Sequence, residues 1–206
     1  RPMHRIADAW VLGNRVVLTA LGTLRVEASG LEPLTPRGWY LVVSNHQSWA
    51  DIVILQCLFL GRIPMLKFFT KKEMLRVPLV GAACWALDFP IMQRFSREYL
   101  ERHPEARGKD LENTRRACER FRYVPTSVIN FLEGTRFTRA KHRAQDSPYR
   151  HLLRPRAGGT GFILGAMGDQ LQQLVDVTLV YRGGPPHFWA FLCGRLRVEA
   201  EVNVSD

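Results

Sequence analysis

The chain has 206 residues, of which 46% are hydrophobic, so it can bury one large core and has no room for two. Its formal net charge is +10, from 29 Lys and Arg against 19 Asp and Glu, which favours anionic partners. The four cysteines form no C-x-x-C pair, which argues against a zinc site and a disulfide framework and favours a reducing compartment. We expect small buried side chains rather than catalytic groups at Cys57, Cys84, Cys118 and Cys193.

We expect residues 1–23 to form an N-terminal amphipathic segment. Apolar residues recur there with roughly helical spacing at Trp10, Leu12, Val16, Val17 and Leu21. A helix of this kind lies either at a membrane interface or against the protein core, and the pattern fits both. No apolar stretch reaches the roughly 20 residues that a membrane-spanning helix needs. Because the chain opens at Arg1, a membrane anchor upstream of it is compatible with the sequence.

Strand and helix patterns then alternate over residues 24–206, which we expect to form one catalytic domain. Strands are predicted at residues 24–28, 39–43, 127–131, 174–181, 188–192 and 195–202, with a short one reaching Arg94. Helices are predicted at residues 52–60, 71–75, 79–86, 110–122 and 158–167. This alternation predicts an α/β fold with a central mixed β-sheet flanked by helices.

A histidine and a carboxylate follow the second predicted strand. The apolar strand gives way to Asn45 and His46, and Asp51 stands five residues after the histidine, where the next helix begins. Asp51 can accept a hydrogen bond from one ring nitrogen of His46 and leave the other free as a general base. A capped helix start with a satisfied histidine would use the same residue types, since Asn, Ser and Asp are common there.

A second polar cluster follows the strand at residues 127–131. It consists of Glu133, Gly134, Thr135 and Arg136. Two strands that each carry polar residues at their C-terminal ends indicate one crevice at the edge of an α/β sheet.

In these segments the chain resembles the glycerolipid acyltransferases of the 1-acyl-sn-glycerol-3-phosphate acyltransferase type. That family has an N-H-x4-D block, a block ending in arginine, an E-G-T-R block and a hydrophobic fourth block. This sequence offers them in the same order at residues 45–51, 89–94, 133–136 and 174–180, although the fourth lacks the proline often found there. The residues of two of these blocks, N-H-Q-S-W and F-P-I-M-Q-R, are most similar to those of the bacterial inner-membrane and lysocardiolipin acyltransferase branch. The resemblance implies a glycerol-3-phosphate acyltransferase-like fold.

The resemblance also implies a reaction. A fatty acyl group would pass from an acyl-thioester, either acyl-coenzyme A or acyl carrier protein, to the free hydroxyl of a lysophospholipid. The expected acceptor is 1-acyl-sn-glycerol-3-phosphate, which would give phosphatidic acid. The alternatives are another acceptor, such as lysophosphatidylglycerol or lysocardiolipin, and a non-catalytic lipid-binding role. Apart from the thioester as co-substrate, no cofactor and no metal are expected.

Roles for individual residues follow from the chemistry and the resemblance. His46 would accept the proton of the attacking hydroxyl, and Asp51 would fix the histidine tautomer. Without a G-x-S-x-G nucleophile elbow, direct transfer is expected rather than a serine acyl-enzyme. Glu133 would hold Thr135 or Arg136 in place. The acceptor phosphate would meet Arg94 and Arg136, extended by the lysine pair. The expected substrate-binding residues are Asn45, Lys71, Lys72, Arg94, Glu133, Gly134, Thr135 and Arg136.

Residues 136–156, here termed the basic segment, carry seven Lys and Arg against the single acidic residue Asp146. A basic surface beside a phosphate-binding crevice attracts anionic lipid, the phosphates of coenzyme A or an acidic carrier protein. Nucleic acid is not expected, because no binding motif accompanies the charge and aromatic residues do not interleave with it. We therefore expect the protein to work at the cytoplasmic face of the inner membrane.

Overall fold

The computed structural model describes residues 2–20, 24–71, 75–76, 80–87, 89–92, 101–103, 108–186, 191 and 196–205. Its helices are α1 (Pro2–Ala20), α2 (Ala50–Phe59), α3 (Val80–Ala86), α4 (Lys109–Cys118), α5 (Arg139–Ala144) and α6 (Ala157–Met167), and a 3-10 helix, Glu119–Tyr123, follows α4 directly. The strands are β1 (Leu24–Ser29), β2 (Tyr40–Ser44), β3 (Leu66–Phe68), β4 (Thr70–Lys71), β5 (Ile91–Met92), β6 (Ser127–Phe131), β7 (Gln173–Tyr181) and β8 (Leu196–Ser205).

Six of these strands form one sheet in the order β1-β8-β7-β2-β6-β3. Strands β3, β6, β2 and β7 run parallel, whereas β8 is antiparallel to β7 and parallel to β1. The short strands β4 and β5 form a separate parallel pair. The predicted α/β fold with a central mixed sheet is therefore confirmed.

The sheet separates two hydrophobic cores. Side chains alternate across a strand, so Tyr40 and Val42 of β2 face one core while Leu41 and Val43 face the other. The first core is completed by α1 and α2, and the second by α4, the 3-10 helix and α6. With parallel neighbours on both edges and apolar layers on both faces, β2 is buried along its whole length, as is usual for a central parallel strand.

The register of β2 and β7 brings distant residues to the same edge of the sheet. Ser44, the last residue of β2, lies opposite Val177, while β7 continues to Tyr181. The end of β7 therefore runs beside the polar segment that follows β2. Because β6 is parallel to β2 and ends at Phe131 opposite Ser44, the segment after β6 opens at this edge as well.

Helix α1 has features of both helices considered for the N-terminal segment, one packed on the core and one lying at a membrane interface. Ala7, Val11 and Leu18 are buried against the rest of the protein, where α1 packs on α2. On its other side Trp10 and Val17 remain 58% and 54% exposed. The helix thus contacts the core with one face and presents apolar side chains to solvent on another. None of the described helices is both long and apolar enough to cross a bilayer.

Some predicted elements differ from the observed ones. In the segment predicted as a helix at 71–75, Lys71 instead lies in β4, and residues 72–74 are outside the described part. The strand predicted at 188–192 falls outside the described residues except for Phe191, which is helical; a short apolar run does not distinguish the two by periodicity. Strand β3 and helix α5 were not predicted, because both are too short to show a period.

The described cysteines are buried and unpaired, as expected, while Cys193 lies outside the described residues. Burial raises the pKa of the Cys57 thiol, and it raises the pKa of Cys118 to about 12. Because the thiolate is the reactive form, both are poor nucleophiles at neutral pH. Among the described residues, no group of three or more His, Cys, Asp or Glu side chains could hold a metal ion.

Candidate active site

The structure joins His46 and Asp51 into a hydrogen-bonded dyad. The distance from His46 Nδ1 to Asp51 Oδ2 is 2.8 Å. The carboxylate is fully buried, whereas the histidine side chain is 16% exposed. The imidazole stacks on Phe131, with ring centroids 4.0 Å apart and planes inclined by 13°. With Nδ1 donating to a carboxylate, the second ring nitrogen, Nε2, carries the lone pair of the neutral imidazole and can act as a base.

Asp51 accepts hydrogen bonds from backbone groups as well as from the histidine. Its Oδ2 also accepts hydrogen bonds from the backbone N–H groups of Gln47 and Ser48, at 2.7 Å and 2.9 Å. These donors precede α2, and Asp51 lies in its first turn, where the helix dipole favours a negative charge. The helix-start interpretation and the catalytic interpretation of this segment are thus compatible, since one carboxylate serves the turn and the histidine.

Tyr181, which sequence analysis did not select, completes the surroundings of Asp51. Its hydroxyl donates a hydrogen bond to Asp51 Oδ1. Burial raises the pKa of Tyr181 well above its ordinary value, and the nearby Asp51 charge and the hydrogen bond to it raise it further. The hydroxyl therefore stays protonated and remains a donor. Its only sequence signal is its place at the end of a predicted strand, because the contact depends on the register of β7 against β2.

Asn45, expected to bind substrate, uses its side chain to extend the sheet. Its Nδ2 donates to the backbone carbonyl of Leu179, and its Oδ1 accepts from the Leu179 N–H, both at 2.9 Å. The side-chain amide thus takes the place of a peptide group and continues the β2–β7 pairing after Ser44. This fixes the direction in which the chain leaves β2 toward His46.

Glu133 contacts backbone rather than the Thr135 or Arg136 side chains that it was expected to hold. It is buried, with Oε1 accepting from the His46 N–H at 2.9 Å and Oε2 accepting from the Leu153 N–H at 2.8 Å. Both carboxylate oxygens are therefore engaged. Thr135 is braced instead by Lys141, whose Nζ donates to Thr135 Oγ1 at 2.7 Å. The sequence expectation failed because it considered only residues adjacent to Glu133 along the chain.

The turn after β6 depends on glycine at position 134. Gly134 has a φ of +65°, in the left-handed region that favours glycine. Its N–H donates to the carbonyl of Phe131 at 2.9 Å. The turn directs Thr135 and Arg136 toward the same opening as His46.

An open cleft joins the dyad to this turn, with a volume of about 1170 Å³ that includes the space at its mouth. Its lining combines apolar and aromatic side chains with the histidine and two arginines. No acidic side chain is among the described lining residues, which are His46, Phe68, Phe69, Ile129, Asn130, Phe131, Gly134, Thr135, Arg136, Arg156, Gly159 and Ile163. Such a cleft suits an anionic group attached to a hydrocarbon chain.

The structure thus gathers His46, Asp51 and the whole of 133–136 at one site. Arg94 and Lys72 lie outside the described residues, and of Lys71 only the backbone, in β4, is described. Two residues of the site were not among those expected from the sequence: Tyr181, and Arg156, which lines the cleft and was considered only as part of the basic segment.

Comparison with known proteins agrees with the motifs. The profile of the family named Acyltransferase matches residues 25–181. The chain is similar to the 1-acyl-sn-glycerol-3-phosphate acyltransferase gamma of Mus musculus, with 27% identity over 175 residues. The Homo sapiens protein of the same name is 28% identical over 175 residues. Each match covers 80% of this chain and 44% of the relative, so the chain spans less than half the length of these proteins.

Among solved structures, the 1-acyl-sn-glycerophosphate (LPA) acyltransferase PlsC from Thermotoga maritima is similar over 98% of this chain and 65% of its own. The identity is 19% and the TM-score 0.49. The family profile covers the dyad, the Glu-Gly-Thr-Arg turn and the end of β7 together. By that match, the chain belongs to the Acyltransferase family.

Proposed function

We propose that this chain transfers a fatty acyl group from an acyl-thioester to the free hydroxyl of a lysophospholipid, with 1-acyl-sn-glycerol-3-phosphate as the preferred acceptor and phosphatidic acid as product. The observation that carries the proposal is a buried, fully hydrogen-bonded carboxylate behind a histidine that lines the same cleft as Arg136. The names of the relatives favour the same acceptor.

In the proposed reaction, the acceptor hydroxyl hydrogen-bonds to His46 Nε2 and attacks the thioester carbonyl carbon. The new carbon–oxygen bond forms as the proton passes to Nε2, since an alcohol at neutral pH cannot ionise beforehand. Collapse of the tetrahedral intermediate breaks the carbon–sulfur bond, and the imidazolium returns the proton to the departing thiolate. Asp51 stabilises the imidazolium and keeps the ring oriented throughout.

The remainder of the cleft supports an acyl-lipid acceptor. Arg136 provides a guanidinium that can bind a phosphate through two hydrogen bonds. Phe68, Phe69 and Ile163 offer an apolar wall for methylene groups. A non-catalytic lipid-binding role is disfavoured, because a binder gains nothing from burying Asp51 behind a histidine at a cost in desolvation.

We further propose that the protein acts at the cytoplasmic face of the inner membrane, where its lipid acceptor resides. Support comes from the exposed apolar face of α1, with Ile6 at 63% and Trp10 at 58% exposure, and from the exposed basic segment. Apolar insertion and attraction to anionic headgroups add to each other in peripheral binding. Carrier protein and coenzyme A are both compatible donors, since both are acidic.

The test is an assay of the purified protein against a panel of acceptors and donors. Acceptors would be lysophosphatidic acid, lysophosphatidylglycerol, lysocardiolipin and monoacylglycerol, each paired with acyl-coenzyme A and with acyl carrier protein. We expect the highest kcat/KM with lysophosphatidic acid. A higher value with another lysophospholipid would reassign the acceptor, and no transfer to any of them would refute the proposed function.

A further inference from the structure

The basic segment leaves the site after β6 and is brought back to it by two backbone anchors. On the return, the N–H of Leu153 donates to Glu133 Oε2 and the N–H of Arg156 donates to the carbonyl of Leu132, both at 2.8 Å. The end of the segment is thereby tied to the residues that begin the Glu-Gly-Thr-Arg turn. Arg156 is therefore held beside the turn that contains Arg136, although twenty positions separate the two arginines in the chain.

Gly134 makes room for the Arg156 side chain. A Cβ at position 134 would lie 3.2 Å from Arg156 Cδ, closer than most contacts of that kind. The arginine stem thus crosses the turn at the point where glycine has no side chain. Arg156 lines the same cleft as His46 and Arg136.

Neither guanidinium is neutralised within the described part of the chain. Other arginines have carboxylate partners there, for example Arg122 with Asp169 at 2.7 Å. Arg136 and Arg156 have none among the described residues, and the described lining of the cleft contains no acidic side chain. Two positive charges that line one cleft without a counterion favour the binding of an anion there.

We propose that Arg156 is a further phosphate-binding residue and that, together with Arg136, it makes the cleft selective for phosphomonoester over phosphodiester headgroups. The inference rests on the proposed function and specifies its acceptor class. A phosphomonoester carries roughly −1.5 to −2 charges at pH 7, as phosphoserine does. A phosphodiester carries a single charge, and the Coulomb attraction to a second guanidinium scales with the charge of the ligand.

The experiment compares Arg156→Gln with a matched control, Arg150→Gln. Arg150 belongs to the same basic segment and is exposed, but it does not line the cleft. Both variants lose one positive charge, and thermal melts would establish that both fold as the parent does. Short-chain acceptors below their micelle concentration remove any contribution from a lipid surface, which separates a phosphate bound in the cleft from attraction to anionic membrane.

For Arg156→Gln we expect kcat/KM with short-chain lysophosphatidic acid to fall about tenfold or more, mainly through KM, as for loss of one charge-assisted contact. With short-chain lysophosphatidylglycerol the loss should be roughly threefold or less, because the charge is halved. Arg156→Lys should recover part of the loss, and Arg150→Gln should match the parent. Equal losses with both acceptors, or equal effects of the position 150 and 156 variants, would overturn the assignment.

Calorimetric titration of short-chain lysophosphatidic acid without a donor separates this inference from the proposed function. If the parent fails to transfer acyl groups but binds this lipid, and Arg156→Gln weakens the binding, the phosphate site stands while the proposed reaction fails. If the parent transfers acyl groups and Arg156→Gln binds as tightly as Arg150→Gln, the phosphate site fails while the reaction stands. If the parent neither binds nor transfers, both fail.

Discussion

Two regions of the site, the His46–Asp51 dyad and the two arginines, are built in different ways. In the dyad, Asp51 is fully buried and receives hydrogen bonds from the histidine ring, two backbone N–H groups and the Tyr181 hydroxyl. Arg136 and Arg156 are instead exposed, stand at the two ends of the basic segment and have no carboxylate partner among the described residues.

This difference corresponds to two physical tasks of the proposed reaction. A general base must keep one orientation and tautomer, which a buried, fully satisfied carboxylate enforces at low dielectric. A phosphate ligand is itself charged, so the arginines that bind it need to be close to it and able to adjust their side chains more than they need one fixed orientation. Substitutions in the dyad should therefore change kcat and in part stability, whereas substitutions of the arginines should change KM.

The largest effect is expected for His46→Ala. Removing the base should reduce transfer about a thousandfold or more, on the order of 4 kcal/mol of barrier. The fold should survive, since the ring is partly exposed and makes a single hydrogen bond to Asp51. Steady-state kinetics together with a thermal melt would check both points. Retention of more than a tenth of the activity at unchanged stability would show that His46 is not the base.

Asp51→Asn should reduce activity by a similar factor and, unlike His46→Ala, should also reduce stability. An asparagine amide cannot accept at both of its ends, so one NH₂ group would face donors that now point at a carboxylate. A buried mismatch of this kind costs roughly 1–3 kcal/mol of the free energy of unfolding. Denaturant titration would measure the loss, and a fully stable, inactive variant would mean that the Asp51 contacts beyond His46 contribute little.

Arg136→Ala should act mainly through KM for lysophosphatidic acid, by roughly ten- to a hundredfold, as expected for one lost charge-assisted contact. The loss should be smaller with monoacylglycerol, which has no phosphate. Lysine at this position should recover only part of the activity, because a point charge does not reproduce the guanidinium fork. If both acceptors lose equally, Arg136 serves the donor site or the structure instead.

Tyr181→Phe should lower kcat about fivefold and the free energy of unfolding by roughly 1–3 kcal/mol, because Asp51 Oδ1 loses its donor. The raised pKa of Tyr181 also sets a pH dependence. Below about pH 10 the hydroxyl is protonated in both the folded and the unfolded chain, so its full contribution is present. Above that pH the unfolded chain ionises first, and the contribution declines. Denaturant titrations from pH 8 to pH 11 should therefore show the stability difference between parent and variant narrowing; a constant difference would contradict this account.

The smallest effect concerns membrane attachment. Lys141 must be left intact, because its Nζ donates to Thr135 Oγ1 and to the carbonyl of Arg136. The double variant Arg139→Gln/Arg143→Gln removes two exposed charges without touching that turn. Each cation near an anionic surface contributes up to about 1 kcal/mol, reduced by salt, so binding to phosphatidylglycerol vesicles should weaken several-fold.

Vesicle sedimentation at two salt concentrations would measure that loss, with Arg37→Gln/Arg62→Gln as the charge-matched control outside the basic segment. Turnover of a water-soluble short-chain acceptor should be unchanged. Equally tight, salt-independent binding to neutral vesicles would leave the apolar face of α1 as the main attachment.

Local sequence determined the chemistry of the dyad. His46 and Asp51 are five residues apart at a strand-to-helix junction, so their contact follows once β2 and α2 form, and the apolar pattern predicted both elements. The same holds for Gly134, whose turn directly follows β6. The pattern of α1 was ambiguous for a physical reason: spacing reveals an apolar helix face but not what covers it, and this helix is apolar on two sides.

Tertiary structure decided which distant groups support that chemistry. Tyr181 contacts Asp51, 130 positions away in the chain, because β7 extends beyond the last residue of β2 in the sheet. Asn45 forms hydrogen bonds with Leu179 for the same reason. Glu133 binds the backbone of His46 and Leu153 because parallel strands end together and the basic segment folds back. Strand register and loop path are set by the packing of the whole core, so no local pattern encodes these contacts, whereas residues within one turn of each other are constrained by backbone geometry alone.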